Sequence, residues 1–184
     1  MFNLRELSLH LMDIVQNSIV AGATLIEIEY SQNSARQELV LAVRDNGKGM
    51  DSEQLEKVQS PFFSTRTTRK IGLGIPLFKM AAEATEGSFS IDSTPGVGTL
   101  VRAVFLSGHI DMVPPGDINE TVRLLVTGNP DLDFTFLRKL DDREFVLDTR
   151  EMRQILGDIP FSSPDIILWL GDYLKEQEAA LKDS

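Results

Sequence analysis

Asp45-Asn46-Gly47-Lys48-Gly49-Met50 closes an apolar run, Leu39-Val40-Leu41-Ala42-Val43, whose composition suits a buried strand. An ionised carboxylate only accepts hydrogen bonds, so Asp45 suits the exocyclic amine of adenine, a group with hydrogens to give. Gly47 and Gly49 would let the backbone approach a flat ring with no Cβ in the way. An ordinary Asp-Asn-Gly turn is the alternative for this segment taken alone. Asp13 and Asn17 stand four apart in a helix-periodic stretch and so share a face. The Asn oxygen is a hard donor of the kind Mg2+ takes alongside waters and phosphate oxygens. An Asp one turn earlier could orient, or take a proton from, a water attacking a γ-phosphate. A solvated helix face is the alternative for that pair. Gly72-Leu73-Gly74 stands directly before a helix, where backbone N–H groups and the helix dipole bind phosphate, although a hinge would read the same. Gly96-Val97-Gly98-Thr99 by itself is a hairpin turn.

The elements that must position these residues follow from periodicity. Leu7, Leu11, Ile14 and Val15, with Met12 and Ile19 on an adjoining stripe, predict a helix over residues 5–21 that Gly22 stops. Alternation predicts strands at 24–30 and 39–44, a hairpin across the polar turn 31–36. Ser52 is expected to cap a short helix. Residues 60–70 place Arg66, Arg69 and Lys70 among small hydroxyl residues, a cationic loop. Ile75, Leu77, Phe78, Met80 and Ala81 predict a helix over 74–84, with Pro76 tolerated near its start. Strands at 88–93 and 99–106 form a second hairpin around Pro95-Gly96-Val97-Gly98. Beyond Pro114-Pro115-Gly116 come strand-like stretches at 122–126 and 145–147, then helical material at 152–156 and 164–181. Helices beside a mostly antiparallel sheet make an α+β fold.

Composition narrows the function classes. The chain has 184 residues, 42% hydrophobic and 25% charged, ordinary for a globular protein. Its 18 Lys and Arg against 28 Asp and Glu give −10, which disfavours nonspecific attachment to nucleic acid or to an anionic membrane. No cysteine means no disulfide, no thiolate nucleophile and no cysteine metal site. With neither a leader pattern nor an apolar stretch of about 18 residues, a cytoplasmic protein is expected.

The order and spacing of the four groups resemble the GHKL ATPases, the Bergerat-fold superfamily of DNA gyrase, heat-shock chaperones, histidine kinases and mismatch repair proteins. Asp13-Ile14-Val15-Gln16-Asn17-Ser18, followed by Ala21-Gly22-Ala23-Thr24, is similar to the family's asparagine box in its mismatch repair form. Asp45 to Met50 resembles the first glycine box. Pro61-Phe62-Phe63-Ser64-Thr65 followed by Gly72-Leu73-Gly74-Ile75 resembles the histidine kinase phenylalanine box, short lid and second glycine box. Gly96-Val97-Gly98-Thr99 is similar to the final box. The resemblance covers about residues 5–106. It implies a Bergerat-type two-layer sandwich, a mixed and mostly antiparallel sheet with helices on one face, over residues 1–108. A linker at 109–116 and a small C-terminal α/β extension at 117–184 complete the expected layout.

The resemblance also implies roles. Asp45 would bind the adenine amine, helped through water by Thr99, and Asn17 would hold Mg2+ against the triphosphate. Gly47, Gly49, Met50, Leu73 and Ile75 fall in the nucleotide-binding boxes. Gly72 and Gly74 would let the lid backbone wrap the phosphates, with Arg66, Arg69 or Lys70 as charge partners. Asp13 occupies the general-base position but is one methylene shorter than the family's usual glutamate, which implies slow hydrolysis. Val20 lacks the charged group that family members carry three after the asparagine. The short lid at about 64–71, with no recognisable transducer domain after it, points away from the mechanical ATPases. Met1–Leu4 leaves no room for the phosphoaccepting helical hairpin of a histidine kinase, so a stand-alone protein akin to the anti-sigma factor serine kinases is expected. His10 is expected to pack near the nucleotide rather than accept phosphate in cis. The function implied is Mg-ATP binding with slow phosphoryl transfer to a protein partner, or slow hydrolysis, in signalling. The alternative is a non-catalytic, nucleotide-dependent protein-binding module. Trp169 and Tyr173, four apart, are expected to pack on their own domain or to anchor a partner or a homodimer.

Overall fold

Alternation along the strands decides which side of the sheet is covered. The computed structural model of the chain describes residues 6–60 and 73–183. In chain order these form α1 (Leu7–Val20), β1 (Leu25–Asn33), β2 (Glu38–Asp45), α2 (Ser52–Gln59), α3 (Gly74–Ala84), β3 (Ser88–Thr94) and β4 (Gly98–Leu106). There follow α4 (Ile118–Gly128), β5 (Asp133–Leu140), β6 (Arg143–Asp148), α5 (Thr149–Leu156) and α6 (Pro164–Lys182). Ile26, Ile28 and Tyr30 on β1, Leu39, Leu41 and Val43 on β2, and Val101, Ala103 and Phe105 on β4 are all buried. Their neighbours Glu27, Arg44 and Arg102 point to the opposite, open side. Against the buried side pack α1, α3, α4 and α6.

The six strands run in the order β3-β4-β2-β1-β5-β6. Every neighbouring pair is antiparallel except β1 with β5, which is parallel. This is the expected α+β architecture: a mixed, mostly antiparallel sheet with helices on one face. Among the described residues, no helix is long and apolar enough to cross a membrane.

Two local expectations differ from the structure. Residues 122–126 are not a strand but the middle of α4, whose buried Ile118, Val122, Leu125 and Val126 follow helical spacing. The strand in this part of the chain is β5, whose Phe134, Phe136 and Arg138 alternate inward. The short helix α2 is capped by Asp51 rather than Ser52. Asp51 Oδ1 accepts the Gln54 N–H at 2.8 Å, and Gln54 Oε1 accepts the Asp51 N–H at 3.1 Å, a reciprocal capping box.

The sheet does not break where residues 109–116 were expected to link two domains. β5 lies beside β1 through the full register Leu25↔Asp133 to Gln32↔Leu140. The N–H groups of Leu7 and Ser8 donate to the carbonyls of Pro114 and Pro115, each at 3.0 Å. Val122, Leu125, Phe134, Phe136 and Leu170 share one hydrophobic core with Leu7, Leu11 and Ile26. Residues 117–183 thus extend the same two layers.

Candidate functional site

The chemistry-bearing residues gather at the end of β2, where the strand meets the last turn of α1. Asp45 is the final residue of β2, and Thr99 stands directly opposite it on β4. Directly opposed residues share a face, here the one that carries α1. Asp45 Oδ2 accepts the hydroxyl of Ser18 at 2.7 Å, and Oδ1 accepts the Gly47 N–H at 2.9 Å. Ser18 is buried in α1, so this carboxylate is fixed in plane from two sides. A carboxylate has about four lone-pair sites. The two bonds leave each oxygen capacity for a further donor.

The loop after β2 is strung between α1 and the β3–β4 hairpin. Asn46 Oδ1 accepts the N–H groups of Thr24 at 2.8 Å and Leu25 at 3.0 Å, and Nδ2 donates to Thr24 Oγ1 at 2.9 Å. The Lys48 N–H donates to the Ala21 carbonyl at 2.9 Å, and the Gly96 N–H donates to the Lys48 carbonyl at 2.7 Å. Gly49 adopts φ +66°, and a Cβ there would stand 2.0 Å from the Thr94 carbonyl oxygen. Only glycine fits that position. Met50 is half-buried against the core, and its N–H donates to Ser93 Oγ at 2.8 Å.

Asp13 and Asn17 are half-buried on α1, one turn apart. The first residue of α3 lies against Asp13: a Cβ on Gly74 would approach Asp13 Cβ to 3.1 Å and Oδ2 to 3.6 Å. Leu73 is the N-cap of α3 and offers no side-chain acceptor to its first turn, while Ile75 turns into the core. The amide end of α3 therefore abuts Asp13 on α1. Gly72, the cationic residues Arg66, Arg69 and Lys70, and Pro61-Phe62-Phe63 lie outside the described residues. His10 is buried with its ring 5.4 Å from that of Phe78.

Among the described residues no group of three or more His, Asp or Glu converges to cage a metal. Asn17 supplies one hard oxygen beside the half-buried Asp13 carboxylate. That donor set fits Mg2+ carried on phosphate oxygens and waters better than an ion held in an all-protein site.

Sequence reasoning missed two side chains. Ser18 occupies a position in the buried stripe Leu7, Leu11, Ile14, and Ser93 continues the inward alternation of Phe89 and Ile91. A small hydroxyl at an apolar position in each pattern was the available signal. Cleft size does not mark this site. A hollow of about 740 Å³ lies elsewhere, between the start of α4, α6 and Arg138. A smaller one of about 420 Å³ reaches Asp45 and Thr99 from the uncovered side of the sheet, past Glu27 and Arg44.

Comparison with known proteins gives the same region. A family profile described as "Histidine kinase-, DNA gyrase B-, and HSP90-like ATPase" matches residues 3–108. A putative sensor protein of Shewanella frigidimarina is 33% identical over 107 residues, 55% of this chain and 16% of the relative. The cell-division control histidine kinase PdhS of Brucella anthropi is 30% identical over 117 residues, 56% of this chain and 11% of the relative. The chain thus spans only a small part of the length of these relatives. Among solved structures, the N-terminal domain of a DNA repair protein superposes with a TM-score of 0.57 at 14% identity, covering 78% of this chain and 52% of that one. That likeness concerns the fold.

Proposed function

Because the chain belongs to the histidine kinase-, DNA gyrase B- and HSP90-like ATPase family, we propose that it binds Mg-ATP with adenine at the end of β2 and passes the γ-phosphate slowly to a protein partner or to water, in cytoplasmic signalling. The observation that carries this reading is the Asp45 carboxylate, immobilised by Ser18 and Gly47 with acceptor capacity to spare. The adenine amine donates to it, and Thr99 reaches the same ring edge through water. Asn17 offers its amide oxygen to the metal, and the backbone of Leu73, Gly74 and Ile75 offers the start of α3 to the phosphates. Mg2+, when bound, neutralises charge that develops on the transferring phosphoryl group. Asp13 orients the attacking hydroxyl or water and takes its proton. Its shorter reach than a glutamate makes that step slow.

Gly74 packed against Asp13 favours a second reading. There, Asp13 positions the start of α3, and nucleotide reshapes a partner surface without turnover. Titration with Mg-ATP and a phosphate-release assay separate the two. Asp45→Ala is expected to lose about 100-fold in affinity, the order of losing charge-assisted hydrogen bonds. Asp13→Ala is expected to keep affinity and lose turnover. Unchanged slow turnover in Asp13→Ala favours the binding module, and wild-type protein without affinity at millimolar Mg-ATP sinks both readings.

A further inference from the structure

We infer that the outer face of α6, with the turns that lead into it, docks an amphipathic helix of a partner protein whose apolar side is bordered by Lys and Arg. Nucleotide plays no part in this contact, which lies beyond residue 108, where the family profile ends. Large apolar side chains crowd into the surface of residues 155–169: Ile155 is 85% exposed, Ile159 53%, Leu168 69% and Trp169 48%. Apolar residues scattered singly over a surface need no explanation, but a concentration of them marks an interaction site.

Helical spacing divides α6 into two faces. Ile166, Leu170, Leu174 and Leu181 turn into the core, while Asp165, Leu168, Trp169, Asp172 and Glu176 recur on the exposed side. Trp169 is braced by the Tyr173 ring stacked on it. The approach to α6 is equally fixed. The guanidinium carbon of Arg153 lies 4.8 Å from the centroid of the buried Phe161 ring. Its nitrogens donate to the carbonyls of Pro130 at 2.6 Å and Leu132 at 2.8 Å, and to Asp133 Oδ1 at 3.1 Å. The Ile159 N–H donates to the Leu156 carbonyl at 3.2 Å, and the Ser163 N–H to the Pro160 carbonyl at 3.0 Å. Ile155 and Ile159 therefore stand on an ordered frame. A surface ordered in advance loses little entropy when a partner covers it.

Charge selects the occupant. Glu151, Asp158, Asp165, Asp172 and Glu176 are all exposed along the same stretch. Its cations are spent elsewhere: Arg150 on Asp148, Arg153 on Asp133 and Lys182 on Glu178. Lys175 acts on Glu120 of α4, whose carboxyl it helps to hold low after the larger effect of Arg123. A second copy of this chain would set five more acids against these five, and an anionic membrane would repel them. A helix with Lys and Arg beside an apolar seam meets the acids with its cations while it buries Leu168 and Trp169.

The test titrates the protein with a tryptophan-free peptide of leucine and lysine at helical spacing, and follows the emission of Trp169, the chain's single tryptophan. Saturable binding with a blue shift is expected. A peptide of the same composition, scrambled so that it has no apolar face, should bind about tenfold more weakly. Leu168→Ser changes an exposed position and should keep the wild-type circular dichroism spectrum. It should weaken the amphipathic peptide about tenfold, the worth of one buried leucine. Asp172→Lys with Glu176→Lys should weaken it about fivefold at low salt. Glu56→Lys with Asp92→Lys changes the net charge equally on α2 and on β3, the strand at the opposite edge of the sheet from β6. That pair should leave the affinity within about twofold. Equal losses in the two charge reversals overturn the inference, because general attraction to an acidic protein then explains the binding. So do equal affinities for the two peptides, and so does wild-type protein that binds neither. A matching blue shift with phosphatidylcholine–phosphatidylglycerol vesicles, or self-association of wild type that Leu168→Ser abolishes, overturns it in favour of a membrane or a second copy.

Discussion

The two ends of the sheet solve opposite electrostatic problems with the same strand, β1, between them. At the β2–β4 end, Asp45 is held by a hydroxyl and an amide, and its carboxylate keeps room for another donor. On the other side, Arg138 of β5 is 1% exposed and turns its guanidinium inward. Its Nε and Nη2 donate to the two oxygens of Glu178 at 2.8 and 2.9 Å, Nη2 also donates to Gln32 Oε1 at 2.7 Å, and Nη1 donates to the Lys139 carbonyl. The guanidinium carbon lies 4.5 Å from the centroid of the Tyr30 ring, its parallel neighbour on β1. A fork–fork ion pair with further acceptors is closed upon itself and locks α6 to the sheet. A carboxylate with spare lone pairs is open to a ligand. The difference teaches that burial and charge alone do not mark a binding site; unspent hydrogen-bonding capacity does.

Breaking each device should have opposite consequences. Glu178→Ala leaves a buried guanidinium without its partner and is expected to cost about 3–5 kcal/mol of folding stability by urea denaturation, with Mg-ATP affinity kept in whatever fraction remains folded. Asp45→Ala should do the reverse, abolishing tight nucleotide binding at a smaller cost in folding stability, about 1–3 kcal/mol for the Ser18 and Gly47 donors it leaves unpaired. If Glu178→Ala leaves stability intact, the pair is no lock and the contrast fails.

Acid sharpens the same contrast. Burial opposes ionisation of Glu178, but hydrogen bonds from Arg138 and Lys182 outweigh it and hold the carboxyl below its usual range. A carboxyl depressed in the folded state contributes stability fully above its unfolded pKa, about 4.3, and that contribution drains away as pH falls through the lower folded value. Wild type should therefore lose stability on acidification below about pH 4, and Glu178→Gln should lose less over that interval. Asp148, held low chiefly by Arg150, contributes a parallel loss to both proteins. Equal slopes in the two proteins would remove Glu178 from the account.

The smallest effect is expected at Trp169, half-exposed on α6 and stacked on Tyr173 with ring centroids 5.3 Å apart. Trp169→Ala should cost about 1 kcal/mol, the size of an aromatic pair at a surface. Trp169 is also the chain's single tryptophan, so its fluorescence reports on the part of the chain beyond residue 108. Saturating Mg-ATP should raise the unfolding midpoint seen by fluorescence as much as that seen by far-ultraviolet circular dichroism, because one core spans both parts. Separate transitions would restore a division near residues 109–116.

Much of the first hundred residues was legible because its signals are local. The α1 stripe, the alternation of β1 to β4 and the glycines of the loops are each written within a few neighbouring residues. In α4, a short run of Thr, Val and Leu fits strand or helix equally until the fold shows which side is buried. β5 went unseen because its inward alternation contains Arg138, a residue that hydrophobic periodicity counts as exposed. Ser52 lost the cap of α2 to Asp51 because Gln54 stands at the right distance to complete a reciprocal box with Asp51.

By itself, the sequence determined the α+β class, the covered face of each early strand, and the placing of Asp13, Asn17, Asp45 and Thr99 on elements that could converge. Periodicity and backbone freedom are properties of short segments, and they survive without knowledge of the rest. Only the tertiary structure decided that Ser18 reaches Asp45, that Ser93 joins Met50 to Thr99, and that Arg138 finds Glu178 across 40 residues of chain. Such pairs depend on strand order and register, which long-range burial selects, and no local pattern encodes which hydroxyl or carboxylate will lie opposite which.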